Sequence, residues 1–318
     1  MTDIKLFRRK VVFCLLMAPV MVFAEGIGGF SGAASRLTAD AVSAGTGGIT
    51  LFAETSSNSY AHNPAALAYA ESRKLDASLV NLSLDRYVYV FNGSLPMPPT
   101  ARLSAGIISA GTNQIQARDS RGYKAGTLSD SEMAYLIAFS NRFSDKLALG
   151  LTLKIVTRRL AADADWLDLK GSGFGAGVGL LYQVSEKSTL AMSIKDWNSS
   201  YNWKTDAVFE QGSSYQDAFP MSLALGWKQD LGDLVLALEH DYYLIGESIY
   251  RGALIWTGIQ GIQLNAGLSY EDGTVNSGLS ARLSKALIKT LPMHIDFGLG
   301  PGIRGEGMRT YMGWGVIF

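Results

Sequence analysis

From residue 74 onward, hydrophobic and polar positions alternate with a period of two. Leu147, Leu149, Leu151, Leu153 and Ile155 fall on one face of a strand; Ala148, Gly150, Thr152 and Lys154 fall on the other. Met221, Leu223, Leu225 and Trp227 oppose Ser222, Ala224, Gly226 and Lys228 in the same way. So do Met293, Ile295, Phe297 and Leu299 against His294, Asp296 and Gly298. The pattern predicts fourteen strands, over 74–84, 86–96, 101–111, 131–143, 146–158, 171–184, 188–196, 219–229, 233–242, 250–259, 261–270, 276–285, 291–300 and 308–318. In 74–84 the apolar phase shifts between Leu79 and Val80, which predicts a bulge. Segment 250–259 favours neither phase.

Each segment has the length of a tilted membrane-crossing strand, and the even count suits a closed barrel. Short connections such as Ser144-Asp145, Ser185-Glu186-Lys187 and Asp230-Leu231-Gly232 mostly alternate with long ones at 112–130, 159–170 and 197–218. That is the turn-and-loop rhythm of an outer-membrane barrel. The expected fold is therefore all-β: a 14-stranded antiparallel transmembrane β-barrel over 74–318.

The first residues have a different character. Lys5, Arg8, Arg9 and Lys10 precede the apolar run from Val11 to Val22, and Val22-Phe23-Ala24 offers a cleavage site. Residues 1–24 read as a secretory signal peptide, too short to span a membrane. The one cysteine, Cys14, lies inside it, so the expected mature chain has no disulfide. Residues 25–73 are rich in Gly, Ala, Ser and Thr and contain one legible helix, capped by Asn63 with Pro64 and Ala65 in its first turn. They are expected to form a plug in the lumen.

Composition agrees with the barrel. Hydrophobic residues make up 47% of 318, yet after the signal no apolar run is long enough for a spanning helix. Removing residues 1–24 takes four basic residues from 28 and one acidic residue from 28, leaving a net charge near −3 and no footprint for nucleic acid. Lumen positions are predicted at Lys154, Lys195, Lys228, Glu239, Asp241, Arg282, Asp296 and Arg309, with both signs present. Gly171, Gly173, Gly175, Gly177 and Gly179 line one face of a strand whose other face carries Phe174, Ala176, Val178 and Leu180. The glycines are expected inside, where another backbone can approach closely, and the plug is expected to pack near them. Trp197, Tyr201, Trp203, Phe209 and Tyr215 in the long connection 197–218 predict an aromatic outer rim, for the membrane interface or a partner. His62, His240 and His294 show no zinc-ligand spacing, so no metal, cofactor or catalytic site is expected.

Several short motifs together resemble the PorV/PorQ family within the FadL superfamily of fourteen-stranded outer-membrane barrels. They are Asn63-Pro64-Ala65-Ala66-Leu67, Ser131-Glu132-Met133-Ala134-Tyr135, Asp145-Lys146-Leu147-Ala148-Leu149-Gly150, and the stretch from Glu239 to Tyr243 with Tyr250-Arg251-Gly252. The resemblance implies a location in the bacterial outer membrane among its lipids, and no enzymatic activity. Its PorV side implies an accessory or carrier barrel for export or surface display of secreted protein cargo. Its FadL side implies, as the alternative, passage of long-chain fatty acids or other hydrophobic small molecules. The last strand ends on Phe318, as in outer-membrane barrels whose terminal aromatic addresses them to the barrel-assembly machinery.

Overall fold

The computed structural model describes residues 29–52, 58–70, 72–163, 167–205, 214–284, 292–301 and 308–318. The expected signal peptide lies outside them. The strands are β1 (Lys74–Asn81), β2 (Arg86–Met97), β3 (Ala101–Arg118), β4 (Lys124–Arg142), β5 (Leu147–Ala162), β6 (Asp168–Ser185), β7 (Ser188–Trp197), β8 (Ser200–Lys204), β9 (Ser214–Ala218), β10 (Ser222–Asp230), β11 (Leu234–Tyr243), β12 (Ser248–Ile259), β13 (Ile262–Glu271), β14 (Thr274–Ser284), β15 (Met293–Pro301) and β16 (Met308–Ile317).

Fourteen of these form a closed antiparallel barrel, while β8 and β9 are a short hairpin added at one rim. β7 pairs directly with β10, and β1 pairs with β16 from Lys74↔Ile317 to Asn81↔Thr310, so no edge is left in the wall. Arg73 and Phe318 exchange backbone hydrogen bonds just past that ladder. The end of the barrel that holds Lys74 and Phe318 is called the terminal end below; the other is the far end.

Outward side chains form an apolar belt, represented by Ile137, Phe139, Leu151, Leu153, Leu254, Leu264, Leu279, Phe297 and Trp314, all exposed. Soluble monomers do not carry exposed apolar surface on this scale, and a lipid-facing barrel does. The wall is uneven in height. β7 and β10–β16 run 9 to 12 residues, whereas β3 to β6 run 16 to 19. The connection expected at 112–130 is therefore shorter, because β3 and β4 continue to Arg118 and from Lys124. Above the belt both faces meet water, so apolar alternation no longer marks the strand.

Among the described residues, four short helical segments fill the lumen: α1 (Ala33–Arg36), α2 (Ala41–Gly45), α3 (Ser59–His62) and a 3-10 helix (Pro64–Tyr69). The sequence showed only the last, as an ordinary helix. Asn63 does cap it, its Oδ1 accepting from the Ala65 N–H at 3.2 Å. α2 is capped by Asp40, whose Oδ1 accepts from the Ser43 N–H at 2.9 Å.

The plug gives the lumen an apolar core. Tyr60 packs into a cluster with Val80, Val88, Val90, Ile108, Leu136 and Val156 from the wall. Ile49, Leu51, Phe52, Ala65 and Ala66 pack on Ala148, Ala191, Ala224, Ala237 and Ala253. This corrects two expectations. β1 has no bulge, since its ladders with β2 and β16 run without a shift; Val80 is an apolar lumen position. β12 favoured neither phase because Ile249, Ala253 and Ile255 face the plug while Leu254 faces outward.

Candidate functional site

The lumen positions expected from the alternation are brought together by the strand registers. β7, β10, β11 and β12 lie side by side, so the expected positions Lys195, Glu239 and Asp241 converge, joined by Arg251, which the alternation did not single out. The Arg251 Nη1 donates to Glu239 Oε1 at 2.9 Å and to Asp241 Oδ2 at 2.6 Å. Lys195 Nζ reaches both Asp241 oxygens, at 2.9 and 3.0 Å, and Lys154 pairs with Asp196. Three cations thus meet three carboxylates, and the cluster carries no net charge. Unpaired charges in this setting would be strongly destabilising, so the pairing is what lets them be buried.

Glu239 has a second role. Its Oε2 accepts the backbone N–H groups of Thr50 and Leu51, at 2.9 and 3.0 Å. The wall carboxylate therefore holds the plug as well as balancing Arg251. Nearer the terminal end, Arg282 grips Asp296 with two bonds of 2.7 and 2.8 Å, and His294 Nε2 lies 3.2 Å from Asp76. Lys228 Nζ lies 5.9 Å from the centre of the Phe52 ring. Arg309 lines a cleft at the far end. Among the described residues no group of acidic, His or Cys side chains is arranged to hold a metal.

The glycine face of β6 points inward, but the plug reaches only one end of it. A Cβ on Gly179 would stand 2.0 Å from Asn63 Oδ1, and one on Gly150 of β5 would stand 2.6 Å from the Ala65 nitrogen. Gly173 and Gly175 are covered by Ser200 and Ser199, and Gly171 by the Trp203 ring. The connection after β7 thus folds in over the glycines. Asp196 and Asn198, both with positive φ, turn the chain inward there. Tyr201 is wholly buried, edge-on to Phe219 at 4.8 Å, and Trp203 packs against it at 5.5 Å. The aromatic rim expected here is consequently reduced to Trp197 and Tyr215, which are exposed; Phe209 lies outside the described residues.

A second set of glycines, not singled out in the sequence, seats the plug. Gly267, Gly278 and Gly298 occupy inward positions on β13, β14 and β15. A Cβ on each would stand 2.1 Å from the Thr46 carbonyl carbon, 1.9 Å from the Ala44 oxygen and 2.9 Å from the Ala41 oxygen. The signal was present in their shared inward phase, but no single strand carries more than one of them in this seat.

Two cavities run beside the plug. A cleft of about 270 Å³ opens at the far end, lined among others by Arg36, Arg86, Arg251, Arg309 and Glu271. An inner pocket of about 40 Å³, room for a few waters, shares Arg36, Thr38, Gly48, Tyr243 and Arg251 with it. The inner pocket extends to Ala176, Gly177, Lys195 and Asp196 at the β6–β7 seam. There the register passes from Val178↔Ile194 to Ala176↔Trp197, with one extra residue on β7. Ala176 belongs to the outward phase of β6, so the pocket reaches the wall where the ladder is irregular.

No family model matches the chain, and no curated protein matches it. Solved structures do match. The CymD monoaromatic hydrocarbon channel is 12% identical, with a TM-score of 0.66 over 91% of this chain and 99% of that one. The Pseudomonas putida toluene transporter TodX is 12% identical, with a TM-score of 0.60 over 87% and 96%. A Pseudomonas aeruginosa FadL homologue is 11% identical, with a TM-score of 0.59 over 88% and 97%. At such identity the likeness is one of fold: the chain shares the fold of these barrels.

Proposed function

We propose that this protein is an outer-membrane channel that passes small, largely apolar organic molecules from the far end of the barrel to its wall. The observation that carries this reading is the pair of adjoining cavities, which share a neck at Arg36 and Arg251 and lead to the irregular β6–β7 seam. The solved structures of the same shape include a toluene transporter and a monoaromatic hydrocarbon channel, which supports the same class of cargo. In this reading residues 1–24 direct export, residues 25–73 are the plug, residues 74–318 are the barrel, and Phe318 is the mark read by the barrel-assembly machinery.

A PorV-like role in holding exported protein has less support. Of the aromatic side chains expected at the rim, where a protein partner could dock, Tyr201 and Trp203 are turned into the lumen.

The test is uptake of radiolabelled toluene and octanoate by bacteria that lack channels of their own for these compounds. Cells expressing the full chain should take up at least one of them faster than cells with an empty vector. Ala176→Trp, which adds bulk at the seam, should lower that rate about tenfold. Uptake by the variant equal to that of the parent, or no gain over the empty vector, would overturn the reading.

A further inference from the structure

The outer surface of β4, β5 and β6 changes character in rows fixed by the register. Tyr135, Ile155 and Phe174 pair across the three strands, and all three are exposed and apolar. The next row toward the far end is Met133, Thr157 and Ser172; the one after is Ser131, Arg159 and Lys170. β8 extends these two rows, placing Asn202 beside Ser172 and Lys204 beside Lys170. Three basic side chains therefore stand on neighbouring strands, about 10 Å from the first to the third. Asp168 bridges two of them, at 2.7 Å from Arg159 and 2.9 Å from Lys170, leaving the row with two net positive charges. The surface between the rows is concave, about 400 Å³ in volume, and its floor offers the Thr157, Ser172 and Asn202 side chains.

We propose that this shelf binds the phosphate-bearing headgroup of an anionic lipid in the leaflet at the far end. Height is the first argument. Two row spacings, about 13 Å along the strand, separate the basic side chains from the last fully apolar row. The headgroup layer begins at that apolar edge and is some 5–8 Å thick, and long Arg and Lys side chains reach back to cover the remainder. Orientation is the second. The shelf faces away from the lumen, directly above Tyr135, Ile155 and Phe174, so a ligand seated in it has room for acyl chains along those residues. Chemistry is the third. Two ammonium groups, a guanidinium tied to Asp168 through its Nε and Nη2, and neutral hydroxyl and amide groups suit phosphate oxygens, and clustered basic residues beside a membrane attract anionic lipid. The inference is independent of any transported cargo, because no residue of the shelf touches the cavities beside the plug.

Native mass spectrometry of the purified full-length barrel in detergent tests it, with diphosphoryl lipid A as the probe and phosphatidylcholine as the neutral control. The parent protein should retain lipid A in preference to phosphatidylcholine. R159Q/K170Q/K204Q should lower that retention at least tenfold. K146Q/K187Q, which removes two charges at the terminal end, should retain it unchanged. Heat-dependent gel mobility reports that each variant is folded. Should the triple variant not fold, Lys204→Gln on the short β8 should still lower retention about threefold. Equal retention by parent and variant, no preference over phosphatidylcholine, or full displacement of the lipid by equimolar inorganic phosphate would overturn the proposal.

Discussion

Substituting the glycines that seat α2 should unseat the plug while leaving the barrel closed. Gly278→Ala places a Cβ 1.9 Å from the Ala44 carbonyl oxygen, where ordinary contact begins near 3.4 Å. The plug backbone would have to retreat by about 1.5 Å. Gly267→Ala demands nearly as much against the Thr46 carbonyl carbon, at 2.1 Å. Neither obstacle is a flexible side chain that can swing aside. α2 has little room to retreat, because every one of its residues is buried. Overpacking of this kind costs roughly 1–3 kcal/mol, so each variant should raise the population of the unseated plug about 5- to 150-fold. The assay is hydrogen–deuterium exchange of residues 38–50, read against the β13–β15 strands. Gly252→Ala is the control, since its Cβ would meet only Leu238 Cδ2 at 3.4 Å, and its exchange should match the parent. If G267A and G278A protect residues 38–50 as well as G252A does, the close seating of α2 is wrong.

Two further changes probe the polar ties. Arg251→Met leaves Glu239 and Asp241 facing one another without their shared cation; it should destabilise the barrel by about 3–5 kcal/mol in urea unfolding, and adding Asp241→Asn should recover part of the loss. Asn63→Ala removes both the cap on Ala65 and the 2.9 Å bond from Nδ2 to the Leu51 carbonyl; it should cost about 1–3 kcal/mol and speed exchange at residues 64–69.

The barrel was legible in the sequence because most wall strands alternate apolar outward positions with small or polar inward ones; β1 and β12 were harder to read because the plug also gives them apolar inward positions. The legibility stops where lipid stops. The upper parts of β3 and β4 pair Ile115 with Leu128 and Gln116 with Thr127 in surroundings that are no longer apolar on one side, and they read as loop. Lys195, Glu239 and Asp241 were legible as inward positions, but Arg251 and the pairing among them were not. Arg251 meets Glu239 across the β11–β12 ladder, while Lys195 on β7 reaches over β10 to Asp241 on β11, and only the register supplies those meetings. The plug was the least legible part. α1, α2 and α3 have four or five residues each, too few to show a helical period, and their stability comes from the wall. Tyr201 looked like a rim residue because its neighbours are polar and aromatic; it is buried because Asp196 and Asn198 turn the chain in toward the glycine face of β6.

The way the plug is held bears on how a molecule would pass it. Ejecting the plug would strip Thr50 and Leu51 N–H groups from Glu239, expose Phe52, Leu51 and Ile49, and leave the inner wall glycines without their covering backbone. These losses occur together, because α2, the 49–52 stretch and the 3-10 helix bind different strands around the lumen. A route that leaves the plug in place needs far less. The cleft and the inner pocket already adjoin at a neck of Arg36, Thr38, Gly48, Tyr243 and Arg251. Beyond it the β6–β7 seam has an extra residue, and Gly173 and Gly175 are covered by Ser199 and Ser200 of the inward-folded connection. Moving two serines of a connecting segment is a smaller event than removing a packed plug. On the channel reading proposed above, this asymmetry favours passage beside the plug and out through the seam over ejection of the plug.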